Sequence, residues 1–543
     1  MSVTAFLVSL WLKFRLMKKN ILFAFLLISL KTIAQPSYWQ QDVRYTINAE
    51  LNETEKSING SLSLVYKNNS PHTLEYIWFH IWPNAYKNDS TALRKQLAHD
   101  PENKKKKLEK GTGSIEGLAF TVNNVAVQTQ PHSNPEYIDI IKVLLQKPLS
   151  PGDSITIGTP FKVLLPPYYS RSGYAGSEFM ACQWYPKPAV FDQAGWHEFP
   201  YLDRGEFYSE YGDYEVKLTL PSSYVVGATG TLMTPEESDQ YKKLGNRNVS
   251  KRKKHALYVP ASGAGTKTLT YRAKHVPDFA WFADKDFVIQ YDTIRLRNGQ
   301  VVDAYCYFHK KRKTMWINSI DYTKDAVKKY SGWIGAYEYP VVQVVEGPEN
   351  NSSGGMEYPM ITLITSPDAT EESLDDVITH EVGHNWFMSM LGSNERAHTW
   401  MDEGLNTYYE FRYEAEKYRG NSVFGKNIPQ NVKKLPVEDF QNLVYKTLSD
   451  KVPMNTAMDT PADQFSSNDE YARVSYLKTA VWLYILESAV GKEKVDLAMK
   501  NYFTKWKDKH PQPTDMQAAF EDALGVDLKE FFLLTKKEGA LTK

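Results

Sequence analysis

Thr379–Gly404 reads THEVGHNWFMSMLGSNERAHTWMDEG, and it opens with the pattern H-E-x-x-H at His380, Glu381 and His384. On a helix, residues four apart lie on one face, so both imidazoles reach one metal ion. Two imidazoles leave a zinc site incomplete, because zinc takes four ligands and a catalytic site keeps one of them for water. Glu403, in the W-M-D-E-G that closes the same stretch, supplies the missing protein ligand from the start of a second helical run, Leu405 to Lys417. A connection of about ten residues returns that carboxylate to the first helix. Glu381, next to the first ligand, faces the metal-bound water without binding the metal, which is the place of a general base. The plainer alternative is a structural helix with two surface histidines. A carboxylate at the right distance on a following helix argues against it.

Two further motifs join this one. Gly354-Gly355-Met356-Glu357-Tyr358 lies upstream, and Tyr471-Ala-Arg-Val-Ser-Tyr476 lies downstream. With Trp386-Phe387 two residues past the second histidine, the set resembles the gluzincin aminopeptidases, more narrowly the aminopeptidase N and leukotriene-hydrolase family. The resemblance implies a thermolysin-like zinc peptidase domain behind a saddle-like β domain, with one zinc ion on His380, His384 and Glu403. It implies that the Gly354, Gly355, Met356 and Glu357 segment binds substrate, Glu357 holding its free amino terminus. It also implies that Tyr476 stabilises the oxyanion and that Tyr471 contacts substrate. Some positions depart from the family. Tyr358 stands where Asn is usual, Met388-Ser389 replace Gly-Asn, and in Cys182-Gln183-Trp184-Tyr185 only Gln183 matches a Gln-x-Glu or Gln-x-Gln substrate loop. The resemblance is strong from Asp278 to Gly491.

Around these motifs the apolar spacing is helical from Asn318 and dominates after Glu371, where Leu374, Val377 and Ile378 mark a buried face behind an acidic first turn. Asp375 and Asp376 stand one turn before the histidines, within reach of orienting an imidazole, although solvated carboxylates are the plainer reading. Val341–Val345 and Met360–Ile364 are short apolar strands, which puts Glu357 on or beside an edge strand flanking the histidine helix. A long helix from Ala472 to Val490 carries Tyr476, and Gly491 caps it. Two last helices are expected, Lys492–Trp506 and Thr514–Leu534. Members of the resembled family carry a larger helical domain here, so the cleft is expected to be more open.

Toward the amino terminus the period changes to two. Val43, Tyr45, Ile47, Ala49 and Leu51 alternate with polar residues, as do Leu62, Leu64 and Tyr66, and later Tyr214, Val216, Leu218 and Leu220. This spacing predicts an antiparallel sheet domain with one buried face. Asn298-Gly299 predicts a hairpin turn. Before Gln35, Lys18-Lys19, an apolar run from Ile21 to Leu30 and Ala34 make the outline of a cleavable signal peptide, with Met1 or Met17 as its start. That apolar run is too short to span a bilayer, which needs about 20 residues. Export is expected, the alternative being an uncleaved amino-terminal anchor.

In 543 residues, Lys+Arg and Asp+Glu balance at 64 each, which implies no nucleic-acid partner. Basic runs such as Lys310–Lys313 read as solvated loops. Cys182 and Cys306, the only cysteines, form one bridge or none. The reading is an α+β protein: residues 1–34 signal peptide, 35–276 a β-rich domain, 277–491 a zinc peptidase domain and 492–543 a short helical tail. Its expected activity is zinc-dependent removal of the first residue from peptides with a free amino terminus. The rivals are a zinc endopeptidase with the same ligands and an idle peptide-binding relative.

Overall fold

A computed structural model describes residues 38–541 apart from 101–110, 253–256, 261–262, 350–353, 367–369 and 426–427. The expected signal peptide lies outside the described residues. The mixed α+β class is as expected: strands dominate to His309 and helices thereafter.

The largest sheet is built on Asp42–Asn52, which pairs antiparallel with Ser57–Lys67, itself paired antiparallel with Ser154–Leu164. Its alternation is literal: Val43, Tyr45, Ile47, Ala49 and Leu51 are buried and the residues between them are exposed. One pairing departs from the antiparallel expectation. Asp42–Asn52 runs parallel to Gly212–Pro221 on its other side, Val43 opposite Gly212 and Tyr45 opposite Tyr214. Parallel neighbours need a long crossover, and the strands that lie between Asn52 and Gly212 in the chain supply it. The buried face rests on a second, four-stranded sheet. Tyr45 packs edge-on to Tyr185, Phe161 lies against Trp184, and Trp184 against Trp281.

That second sheet contains Trp281–Asp284, paired with Glu178–Ala181 and with Val225–Ala228. The β-rich part therefore runs past Val276, and the expected boundary there falls ahead of one of its own strands. The next strand, Phe287–Arg295, opens the five-stranded sheet under the functional site. It turns through Gly299, at φ 88°, into Val301–His309, the hairpin that Asn298-Gly299 predicts. Val301–His309, Val341–Glu346 and Ile361–Ile364 are parallel neighbours, and Gly355–Tyr358 adds antiparallel at the edge. Glu357 is thus on an edge strand, as expected.

Helix Ser319–Trp333 and helix Glu371–His384 pack beside this sheet. Thr370 and Ser373 form a capping box at the start of the histidine helix, which fixes where it begins. The α-helix does not continue past His384: there the chain widens into a π-helix, Asn385–Met390. The same happens to the Tyr476 helix, where a π segment, Ala472–Lys478, precedes α-helix Thr479–Val490. Such widenings insert a residue into the ladder and re-aim side chains.

The carboxyl-terminal residues are part of the same core and not a separate tail. Trp482 stacks on Phe531 at 4.3 Å and donates its indole N–H to the Phe531 carbonyl, and Lys478 donates to the carbonyl of Lys537. The last expected helix is broken: Pro513–Leu524 ends at Gly525, whose φ of 66° is left-handed, and a short helix follows at Lys529–Leu533. Cys182 and Cys306 are both buried and unbridged. Among the described residues, no helix is long and apolar enough to cross a membrane.

Candidate metal centre and substrate site

The histidine helix and the Glu403 helix (Glu403–Lys417) cross in close contact, and two residues explain how. Gly383 has no room for a side chain: a Cβ there would sit 2.1 Å from Asn406 Oδ1 and 2.6 Å from the Tyr330 ring. Asn406 in turn donates to the His380 carbonyl at 2.7 Å and accepts from the Tyr330 hydroxyl at 2.8 Å. The expected donors therefore converge. His380 Nε2 and His384 Nε2 are 3.1 Å apart, and Glu403 Oε2 is 3.3 Å from each.

The other ring nitrogens are engaged by carboxylates that the sequence reading missed. His380 Nδ1 is 2.8 Å from Glu410 Oε2, and His384 Nδ1 is 2.7 Å from Asp402 Oδ1. With each Nδ1–H donated outward, three lone-pair donors face one point, an arrangement that fits a cation and no hydrogen bond. The donor set fits zinc. Glu410 had a signal, standing two helical turns after Glu403 on the same face; Asp402 had only adjacency. Asp375, by contrast, turns away from the histidines and is held by Tyr413, Tyr418 and Lys417.

Glu381 and Glu357 lie on the open side of these donors, and each offers an oxygen within 4.8 Å of the other and of a His384 nitrogen. Glu381 is buried, and burial pushes its carboxyl up to about 7 against the pull of His380 and His384. Glu357 is buried too, and burial raises its carboxyl well above the usual range. Among the described residues, Glu357 Oε1 and Glu381 Oε2 have no hydrogen-bond partner.

The remaining expected residues divide. Tyr476 donates its hydroxyl to Glu403 Oε1 at 2.5 Å and stacks over His380. Tyr471 packs edge-on to Tyr476 with its hydroxyl unpartnered among the described residues. Met356 Sδ accepts from Arg171 Nε at 3.0 Å, and Met356 lines the narrow pocket beside Glu357. Gly354 is exposed, whereas Gly355 lies against Glu381. Gln183 accepts from the Tyr358 hydroxyl and lines a narrow pocket with Glu357, Phe207 and Met388. Further acidic residues enter the site unannounced, Glu395 beside Glu357 and Asp402 among them. Glu206 comes from the β-rich part to within 4.8 Å of Glu357 and Glu403 and is clamped by Arg171 at 2.6 and 2.7 Å.

The two-helix H-E-x-x-H…E arrangement is the one that the resemblance to the gluzincin peptidases implies. Residues 319–534 match the family model described as the peptidase family M1 domain, and the match runs through the carboxyl-terminal helices. An M1 zinc metallopeptidase from Deinococcus radiodurans shares the fold over 92% of this chain and 94% of its own, with a TM-score of 0.61 at 16% identity. A structure of a point mutant of that protein, bound to a Tyr-Ser-Ala substrate, superposes with a TM-score of 0.62 over 92% of this chain and 95% of its own, at 15% identity. A leukotriene A-4 hydrolase homolog of Botryotinia fuckeliana is 31% identical over 197 residues, 35% of this chain. Leucine aminopeptidase 2 of Emericella nidulans is 30% identical over 217 residues, 39% of this chain. The matched segments span 28% and 33% of those two relatives.

Proposed function

We propose that the protein is a zinc-dependent aminopeptidase that removes the first residue of peptides with a free amino terminus. The observation that carries this reading is the Glu357 carboxylate, buried beside Glu381 and His384 with one oxygen unpartnered. A buried carboxylate without a partner costs several kcal/mol, and a substrate ammonium removes that cost where a blocked, neutral amide does not. The naming of the Emericella nidulans relative as a leucine aminopeptidase supports the same reading.

In this mechanism His380, His384 and Glu403 hold one zinc ion, and Glu410 and Asp402 fix the two imidazoles in the tautomer that leaves Nε2 free. Bound there, zinc supplies a Lewis acid and lowers the pKa of a water to about 7. Glu381 accepts the proton of the attacking water and returns it to the leaving amine. The Tyr476 hydroxyl, which donates to Glu403 in this structure, would turn from it to the carbonyl oxygen as that becomes an oxyanion, a contribution of roughly 3 to 4 kcal/mol for such a donor. Glu357 sets the position of cleavage by holding the chain end.

The test is a paired set of peptides, free and amino-acetylated. Free peptides are expected to lose one residue at a time while acetylated ones persist; internal cleavage of both at equal rates would make Glu357 a strand residue only and the protein an endopeptidase.

Export belongs to the same proposal. The basic, apolar and small order of residues 18–34 supports a mature chain beginning at Gln35. Amino-terminal sequencing of protein recovered outside the cytoplasm checks this, and full-length chain confined to the cytoplasm counts against it.

A further inference from the structure

A second cluster of metal-ligating side chains shares no residue with the site described above. Glu178 and Asp284 stand on adjacent strands of the second β sheet, Glu178–Ala181 and Trp281–Asp284. His309 and Glu346 end two neighbouring strands of the five-stranded sheet, Val301–His309 and Val341–Glu346. Glu178, Asp284 and His309 each offer a donor atom within 4.8 Å of the others.

Three details separate this cluster from an ordinary ion pair. First, His309 Nε2 is 3.9 Å from both Glu178 Oε2 and Asp284 Oδ1. That is too long for a hydrogen bond to either, yet equal to both, as for ligands around a shared ion. Second, His309 Nδ1 faces Glu346 Oε2 at 3.3 Å. A carboxylate on the far ring nitrogen is what orients a metal-ligating imidazole; His380 and His384 have one at 2.8 and 2.7 Å, and the Glu346 oxygen, at 3.3 Å, also accepts from the His309 backbone N–H at 2.6 Å. Third, Glu178 is 7% exposed, and its ion-pair contact is the His309 imidazole at 3.9 Å. Asp284 is held in place by Ser177 Oγ and the Asp286 N–H.

Charge points the same way. Glu178, Asp284 and Glu346 bring three carboxylates. Arg312 lies on Glu346 and is shared with Glu349, and Lys311 acts on Glu178 from further off. With a neutral imidazole, the inner group of three carboxylates and Arg312 carries two net negative charges, which one divalent cation balances.

We propose that Glu178, Asp284 and His309 bind a divalent first-row metal ion of the manganese or zinc class, which ties the β-rich part to the catalytic sheet. An imidazole among the donors favours these ions over calcium or magnesium, which take oxygen. Donor separations wider than the 3.1–3.3 Å of the first site leave space for waters to complete the shell.

Full chain, loaded with Mn²⁺ or Zn²⁺ alone and desalted, is expected to carry two metal ions by mass spectrometry. Anomalous maps should show a peak between Glu178, Asp284 and His309 besides the one at His380. Glu178→Gln and His309→Gln should each lose one equivalent, with turnover of an amino-acid amide unchanged. If a variant fails to fold, the map of the parent protein decides alone. A single peak at His380, with equal metal content in parent and variants, overturns the proposal and makes His309 a buried imidazolium.

Discussion

A Cβ atom on Gly355 would lie 2.5 Å from Glu381 Oε1, so the glycine of the edge strand is what makes room for the carboxylate of the helix. Besides lying in the segment expected to bind substrate, Gly355 shapes the pocket of Glu381. Gly355→Ala is therefore expected to fold and hold metal while displacing Glu381, lowering kcat by roughly 10²-fold, the order of loss for a misplacement of about 1 Å. Kinetics and metal content on one sample check it; near-parental kcat means the strand yields instead.

Glu381→Gln keeps the shape but cannot accept a proton. Metal content should be unchanged and turnover should drop by about 10²- to 10⁴-fold. The parent enzyme should also show an acid limb. Burial pushes Glu381 up to about 7 while His380 and His384 pull it down. Only the carboxylate is active, so kcat/KM falls as pH drops through that value or somewhat below it, where a bound cation adds to the pull. A profile flat from pH 5 to 8 removes Glu381 from the role of base.

Glu357→Ala should weaken hydrolysis of free amino-terminal substrates by about 100-fold, near 3 kcal/mol for a lost charge-assisted bond. Acetylated peptides, poor substrates for the parent, should change little. Equal losses on both substrate sets indicate damage to the strand and not loss of amine binding.

Glu410→Gln and Asp402→Asn act on the metal through the imidazoles. Each should lower zinc affinity by about 10- to 100-fold, read by competition with a chelator. Asp375→Asn, whose carboxylate meets Tyr413, Tyr418 and Lys417 and no histidine, should leave affinity unchanged.

What the chain declares locally is what its sequence by itself determined. Helical spacing put His380 and His384 on one face, the stretch after His384 was long enough to return Glu403, and alternation in Val43–Leu51 fixed which face of a strand is buried. These follow from the periods of helix and strand, which a stretch of chain carries alone. Tertiary structure decided the rest. The parallel pairing of Asp42–Asn52 with Gly212–Pro221 depends on a crossover through all the strands that separate them in the chain. Glu206 reaches Glu357 and Glu403 from the β-rich part, where Arg171 clamps it. Glu178, Asp284 and His309 come from three strands in two sheets. No spacing encodes such meetings, because they arise from how separate elements bury their faces against one another, and that packing has no period along the chain.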